Sequence, residues 1–469
     1  MPMLPVSEQN RIEKDSQGDV SVAASALWGA QTQRAIDNIR IGHERMPPSL
    51  IRAIALIKWS AAVTNGELGE LPAPLAAAIA DAALEIAAGR HADQFPLGVM
   101  QTGSGTSTNM NVNEVVARLA SGQSGGPVHP NDHVNRCQSS NDVIPTAIHL
   151  AAALELRDAL LPGLAMLARA IGDKAAAEGD QVKPGRTHLM DALPITVGQE
   201  MGAWQSQILD AAARIEGVMP RLTRLALGAT AVGTGVNAHP QFATRAIARL
   251  ADRTGLPLAG APDRFASLAS QDTAVELSGQ LRAAAVAFLK IANDLRWMNS
   301  GPLAGLGEIS VPALQPGSSI MPAKVNPVIP EAVAMAATRV MANDSAVAMA
   351  GASGNFQLNV MLPLIAHALL DSIELLDGSA RALATRVLPD LVFHGDRISA
   401  TLARNPMLLT ALAPRIGYDR AAAIAKRAAA DGRAILDVAV EETGLPREEL
   451  AVLLDPGRLA RGDGPDHGR

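Results

Sequence analysis

A single cysteine, Cys137, among 469 residues leaves no intramolecular disulfide and no iron–sulfur cluster, which needs several thiolates. Aromatic side chains make up 2% of the chain, so a core has to be packed from Ala, Leu, Val, Ile and Met, a composition that favours closely approaching helices. Basic charge is not in excess: 40 Lys and Arg stand against 46 Asp and Glu, for a net charge of -6. Without a basic footprint or stacking aromatics, nucleic acid is not an expected partner, and a small substrate is. No stretch reaches the roughly 18 apolar residues that a membrane span requires, and the first residues contain no apolar signal segment, so no membrane partner and a cytoplasmic location are expected. Cys137 itself reads as a small buried hydrophobe with no assigned role.

What is abundant is apolar, at 48% hydrophobic residues against 18% charged. From Val197 the apolar positions run Met201, Trp204, Ile208, Ala211, Ile215, Val218, Leu222 and Leu225, alternating steps of four and three along a coiled-coil-like seam. The same spacing recurs in Leu277, Leu281, Ala284, Phe288, Ile291, Leu295 and Met298, and again in Ile329, Val333, Ala336, Val340, Asn343, Val347 and Ala350. Looser versions at 142–175, where Pro162 should bend the helix, and at 361–387 bring the total to five helices of roughly 40 Å each. The expected fold is all-α: an elongated central five-helix bundle at 141–388, flanked by a helical N-terminal domain at 1–140 and a small helical C-terminal domain at 389–469 whose polar tail, GDGPDHGR, is disordered. Ala at many seam positions favours further association into a tetrameric helical core. Asn343 in a seam either fixes register or faces solvent.

The polar clusters lie between these helices. GSSIMPAKVNP, from Gly317 to Pro327, puts two serines, a lysine and an asparagine in a Gly/Pro-rich loop before a helix, where loop amides and the helix N-terminus can stabilise anionic oxygen. This string resembles the signature of the fumarase/aspartase superfamily. The resemblance continues in order through LWGAQTQRA (from Leu27), QTGSGTSTNMNVNE (from Gln101), HPNDHVN (from His129), QSSND (from Gln138), GRTHLMDALP (from Gly185), GTGVNAHP (from Gly233), NDLRWMNSGP (from Asn293) and GASGNFQLNV (from Gly351). His188, together with GNF at Gly354 and NAHP at Asn237, is similar to the class II fumarases. STNMN and AKVNPVIPE are equally similar to the aspartate ammonia-lyases, and a non-catalytic structural relative is a more distant alternative.

The resemblance implies a lyase that removes a proton from carbon beside a carboxylate, passing through an aci-carboxylate that demands strong electrostatic stabilisation. In that family the position of Ser318 is the base, that of His188 acts on the hydroxyl side, and that of Glu331 supports the histidine. Lys324 and Asn326 match the grip on the reacting carboxylate. Ser104, Gly105, Thr106, Ser139, Ser140, Asn141, Thr187 and Ser319 match contacts to a dicarboxylate substrate. His129, Asn131 and Asp132 match a second dicarboxylate site, although the basic residue often found just upstream is missing from SGQSGGPVHP and His133 replaces a common Asp. The family works without a cofactor or a metal, as a homotetramer whose active sites are shared between subunits.

Overall fold

The computed structural model describes residues 10–124 and 126–462. All but the first residue of the GDGPDHGR tail therefore lies outside the described residues. Among those described, strands occur only as short pairs, and the protein is all-α. The five long helices appear as Ser140–Glu155 continued by Leu161–Glu178, then Val197–Glu216, Asp272–Met298, Val328–Gly351 and Leu362–Ala382. Every residue of the first two seams is buried, from Val197 to Leu225 and from Leu277 to Met298.

Two of the expectations need correction. The seam from Val197 is not one helix: it ends at Glu216 because Gly217 and Pro220 interrupt it, and a short helix Met219–Leu222 carries the periodicity on to a strand at Arg224–Leu225. The described part of the N-terminal region opens not on a helix but on Asn10–Asp15 and Gly18–Ala23, which pair as an antiparallel hairpin. Gly18, at φ 114, makes that turn. Just before Pro162, whose nitrogen cannot donate, Leu156–Leu160 winds one residue wider as a π-turn.

The chain divides into two compact units. The first comprises the described residues of Met1–Pro162, with Ala211–Ala285 and Ala337–Asp377. In its core, helices Pro48–Glu67, Ala73–Ala87, Thr106–Ser124, Ser140–Glu155 and Phe242–Thr254 pack on one another through Ala, Ile, Leu and Val side chains. Polar contacts tie three bundle segments together here: Ser278 Oγ donates to Asp344 Oδ1 at 2.8 Å, and Asn343 donates to Asp371 at 2.8 Å and to Ser372 at 3.1 Å. Asn343 is thus a buried residue that joins two helices.

The second unit comprises Gly163–Asp210, Val286–Ala336 and Gly378–Arg469. Within it Gln205 donates to the Ala168 carbonyl at 2.9 Å and the Trp204 indole to Asp294 at 3.2 Å, linking three further bundle segments. A hairpin of Val182–Thr187 and Met190–Thr196 packs on the helices Gly395–Ala403 and Pro456–Ala460. A separate cluster that includes Leu412, Ile424, Val438 and Leu450 forms the core of the C-terminal helices.

Candidate active site

The first unit holds Ser104, Gly105 and Thr106 in a turn that opens helix Thr106–Ser124. Gly105 has φ 73, and a side chain at Gly103 would strike the Val360 carbonyl at 1.6 Å, so both glycines are required by the backbone. The Gly103 carbonyl accepts from Leu362 N at 2.9 Å, and the Ser104 and Thr106 hydroxyls lie 2.8 Å apart.

Ser139, Ser140 and Asn141 form the start of helix Ser140–Glu155. Ser139 and Asp142 make a capping box, and the other Asp142 oxygen accepts from Gly228 N and Thr230 N at 2.9 Å each. Burial pushes Asp142 up to about 6, against the pull of the Ser139, Thr230 and Gly228 amides and the charge of Lys58. Asn141 donates to the Ala231 carbonyl at 2.8 Å, while Ser140 Oγ accepts from Asn109 at 3.1 Å. Ser140 therefore keeps its own proton for another acceptor.

His129, Asn131 and Asp132 lie on and beside a π-turn, Pro130–Val134. His129 Nδ1 accepts from Asp132 N at 3.1 Å and stands 3.2 Å from its carboxylate. His129 and Asn131 edge a cleft of about 660 Å³ that Lys14 and Arg118 also line. The same cleft is lined by Arg11 and by the carboxylates of Glu13, Asp15 and Glu114, with Arg118 beside Glu13 at 3.6 Å. No local pattern in the chain announces Lys14 or Arg118.

The second unit carries the signature loop. Gly317 N donates to the Lys324 carbonyl at 2.8 Å and Asn326 donates back to the Gly317 carbonyl at 2.7 Å, closing the loop on itself. A side chain at Gly317 would come within 2.3 Å of the Lys324 carbonyl oxygen. Ser318 Oγ accepts from Met321 N at 3.0 Å and from Ile320 N at 3.3 Å. Two amides already aimed at a serine oxygen are the groups that an alkoxide there requires. Ser319 and Lys324 are exposed, and Glu331 sits in the first turn of helix Val328–Gly351.

Thr187 and His188 stand at the exposed tip of the Val182–Thr196 hairpin. Thr187 pairs with Met190 across a two-residue turn in which His188 and Leu189 both have positive φ, at 56 and 59, as a type I′ turn demands. The hairpin is clamped from below. Lys183, 1% exposed, bonds Glu200 at 2.6 Å and Glu308 at 3.2 Å, and Arg186 grips Glu308 through both its terminal nitrogens. Burial would raise Glu308, but Arg186 and Lys183 hold it below the ordinary carboxylate value. Lys183 and Glu308 carried no motif signal.

Within one chain, among the described residues, no hydrogen bond joins Ser318, His188 and Glu331 to one another. Nor does any group of three or more His, Cys, Asp or Glu side chains stand ready to hold a metal. Cys137 is buried, with φ 61 in the loop before Ser139, and its thiol is pushed up by burial.

Comparison with known proteins accounts for this constellation. Residues 18–342 match the family described as lyase, and residues 408–461 match the fumarase C C-terminus. A class II fumarate hydratase of Pseudomonas aeruginosa is 56% identical over 452 residues, covering 96% of this chain and 99% of that protein. One from Thermus thermophilus is 50% identical over 458 residues, covering 96% and 98%. The crystal structure of the class II fumarase of Schistosoma mansoni superposes with a TM-score of 0.92 at 37% identity, covering 96% of this chain and 99% of that one. No helix among the described residues is long and apolar enough to cross a membrane. With its signature loop, its histidine hairpin and near full-length similarity, the chain belongs to the class II fumarate hydratase family of lyases.

Proposed function

We propose that the chain reversibly adds water to fumarate to give (S)-malate, with Ser318 and His188 acting on opposite sides of the bond. In the dehydrating direction Ser318, as its alkoxide, takes a proton from the carbon next to one carboxylate, which becomes the aci-carboxylate dianion. Lys324 offers that dianion a point charge and Asn326 a hydrogen-bond donor. His188 then protonates the departing hydroxide to water, with Glu331 supporting its charged form. Ser104, Gly105, Thr106, Ser139, Ser140, Asn141, Thr187 and Ser319 supply neutral donors to the second carboxylate. The observation that carries this reading is the pair of backbone amides, from Ile320 and Met321, that Ser318 Oγ already receives.

These residues would complete one site only in a homotetramer whose subunits share their active sites, and the exposed apolar side chains favour such an assembly. Leu189 and Met190 beside His188 are 67% and 69% exposed, Ile320 beside Ser319 is 84% exposed, and Phe356 is 91% exposed. His129, Asn131 and Asp132, with Lys14 and Arg118, form a second dicarboxylate site at the lined cleft, and the enzyme works in the cytoplasm.

The test mixes purified protein with fumarate, with and without ammonium, alongside light scattering. Malate in both mixtures from a tetramer is expected. Aspartate formed only with ammonium would replace hydration by amination, and a fully active monomer at micromolar concentration would overturn the shared site.

A further inference from the structure

Lys58 lies in the apolar helix Pro48–Glu67, flanked by Ile54, Ile57 and Ala61, and is itself 0% exposed. An ammonium in such a position destabilises the fold relative to a methionine of similar length, so packing does not explain it. Its amine donates to Asn135 Oδ1 at 3.0 Å and to Gln138 Oε1 at 2.9 Å. Asn135 Oδ1 also accepts from Asn109 at 3.2 Å and Asn113 at 3.1 Å, while Asn135 donates to the Gln138 carbonyl at 3.1 Å. Gln138 in turn donates to the carbonyls of Val134 and Arg136. The loop that delivers Ser139 and Ser140 is therefore wound around this one amine. Asn109 donates its second amide proton to Ser140 Oγ, so Lys58 and Asn109 are tied through the one Asn135 oxygen to which both donate, and Asn109 in turn meets Ser140.

The arrangement carries a visible cost. Asn109 Oδ1 and Asn113 Oδ1 are buried without a hydrogen-bond partner among the described residues. Both amides turn their nitrogens to Asn135, which fixes Asn109 as a donor to Ser140 and Ser140 as a donor to something beyond.

We propose that Lys58 is a positioning residue for substrate: through Asn135, Gln138 and Asn109 it holds the Ser139–Ser140 turn and keeps the Ser140 hydroxyl proton directed at the carboxylate distant from the reacting carbon. This inference rests on the reading of Ser140 as a substrate contact.

Steady-state kinetics on fumarate, with succinate as competitive probe, test it on the full-length enzyme after light scattering and circular dichroism have verified assembly. Lys58→Met should raise KM and the succinate inhibition constant about 10- to 100-fold, the range expected on losing a hydrogen bond to a charged group, with kcat falling far less. Asn109→Ala should raise KM by about 10-fold, and the double variant Asn109→Ala with Ser140→Ala should be no worse than Ser140→Ala alone, because both act through one hydroxyl. Should Lys58→Met fail to assemble, this Asn109 cycle decides the matter by itself. Native KM in assembled Lys58→Met, or additive effects in the cycle, overturns the inference while leaving the Ser140 reading intact. Native KM in Ser140→Ala overturns both.

Discussion

Two lysines are buried to the same degree in this chain, Lys58 in the first unit at 0% and Lys183 in the second at 1%, and their surroundings differ completely. Lys183 is met by carboxylates, Glu200 at 2.6 Å and Glu308 at 3.2 Å. Lys58 is met by the amide oxygens of Asn135 and Gln138, and burial lowers its amine to about 7 despite the attraction of Asp142. A carboxylate neutralises a buried ammonium and locks the elements that carry both, so the Lys183 cluster is a clamp beneath the Thr187–His188 hairpin. Around Lys58 amide oxygens take the place of a bonded carboxylate, and the amine holds the Asn135–Gln138 loop that also receives Asn109. The candidate reacting groups Ser318 and His188 belong to the unit with the clamp, and the candidate donors of Ser104–Thr106 and Ser139–Asn141 to the unit that holds Lys58.

That contrast is sharpened most strongly at Ser318. Ser318→Ala should lower kcat by about 10³-fold or more while succinate binding persists, because it removes the base and leaves Lys324, Asn326 and the donors of the other unit in place. Equal losses in binding and turnover would make Ser318 a carboxylate ligand and not the base.

The clamp comes next. Lys183→Met leaves Glu200 and Glu308 together in a buried setting and should destabilise the protein by about 3–5 kcal/mol, read from urea unfolding at fixed protein concentration. A stability change below about 1 kcal/mol would mean that Lys183 behaves like a surface ion pair and that the contrast with Lys58 is false. His188→Asn, above that clamp, should cut kcat by about 10²-fold and remove one limb of the pH–rate profile. An unchanged profile with weakened affinity would make His188 a carboxylate ligand instead.

The pH dependence of stability comes last, and Lys58 carries it on the alkaline side. Its folded value of about 7 lies below the ordinary 10.5, so between those values the unfolded chain binds a proton that the folded one has released. Stability then rises with pH across that window. Asp142 works in the opposite sense, since its folded value of about 6 lies above 3.8, and its contribution falls as pH climbs between them. Urea midpoints measured from about pH 7 to pH 10 should therefore climb more steeply in the native protein than in Lys58→Met, by an amount on the order of a few kcal/mol. Parallel curves would show that Lys58 titrates as an ordinary lysine.

Much of this was legible in the chain before any coordinates. Apolar spacing located the long helices, because a helix buries one face at a period that the chain must repeat, and the buried seams agree residue by residue from Val197 to Leu225 and from Leu277 to Met298. The same spacing misled at Gly217, where periodicity continues through a break that Gly217 and Pro220 impose. Ser318, His188 and the Ser139–Asn141 turn were legible as motif strings, since a loop that must bind an anion needs small residues and donors at adjacent positions. The hairpin at Asn10–Ala23 was not, because its alternation is short and Ile12 remains 68% exposed.

The sequence by itself determined the family, the all-α architecture and the candidate reacting groups, for each of these is written in residues that are neighbours along the chain or repeat at a local period. Only the tertiary structure decided what those groups lean on. Lys58 meets Asn135 across 77 positions, Arg186 meets Glu308 across 122, and Arg118 and Lys14 reach the His129 cleft from other segments. Pairings at such separations follow from how helices and hairpins pack, and whether a buried lysine meets carboxylates or amide oxygens depends on which side chains that packing brings to it.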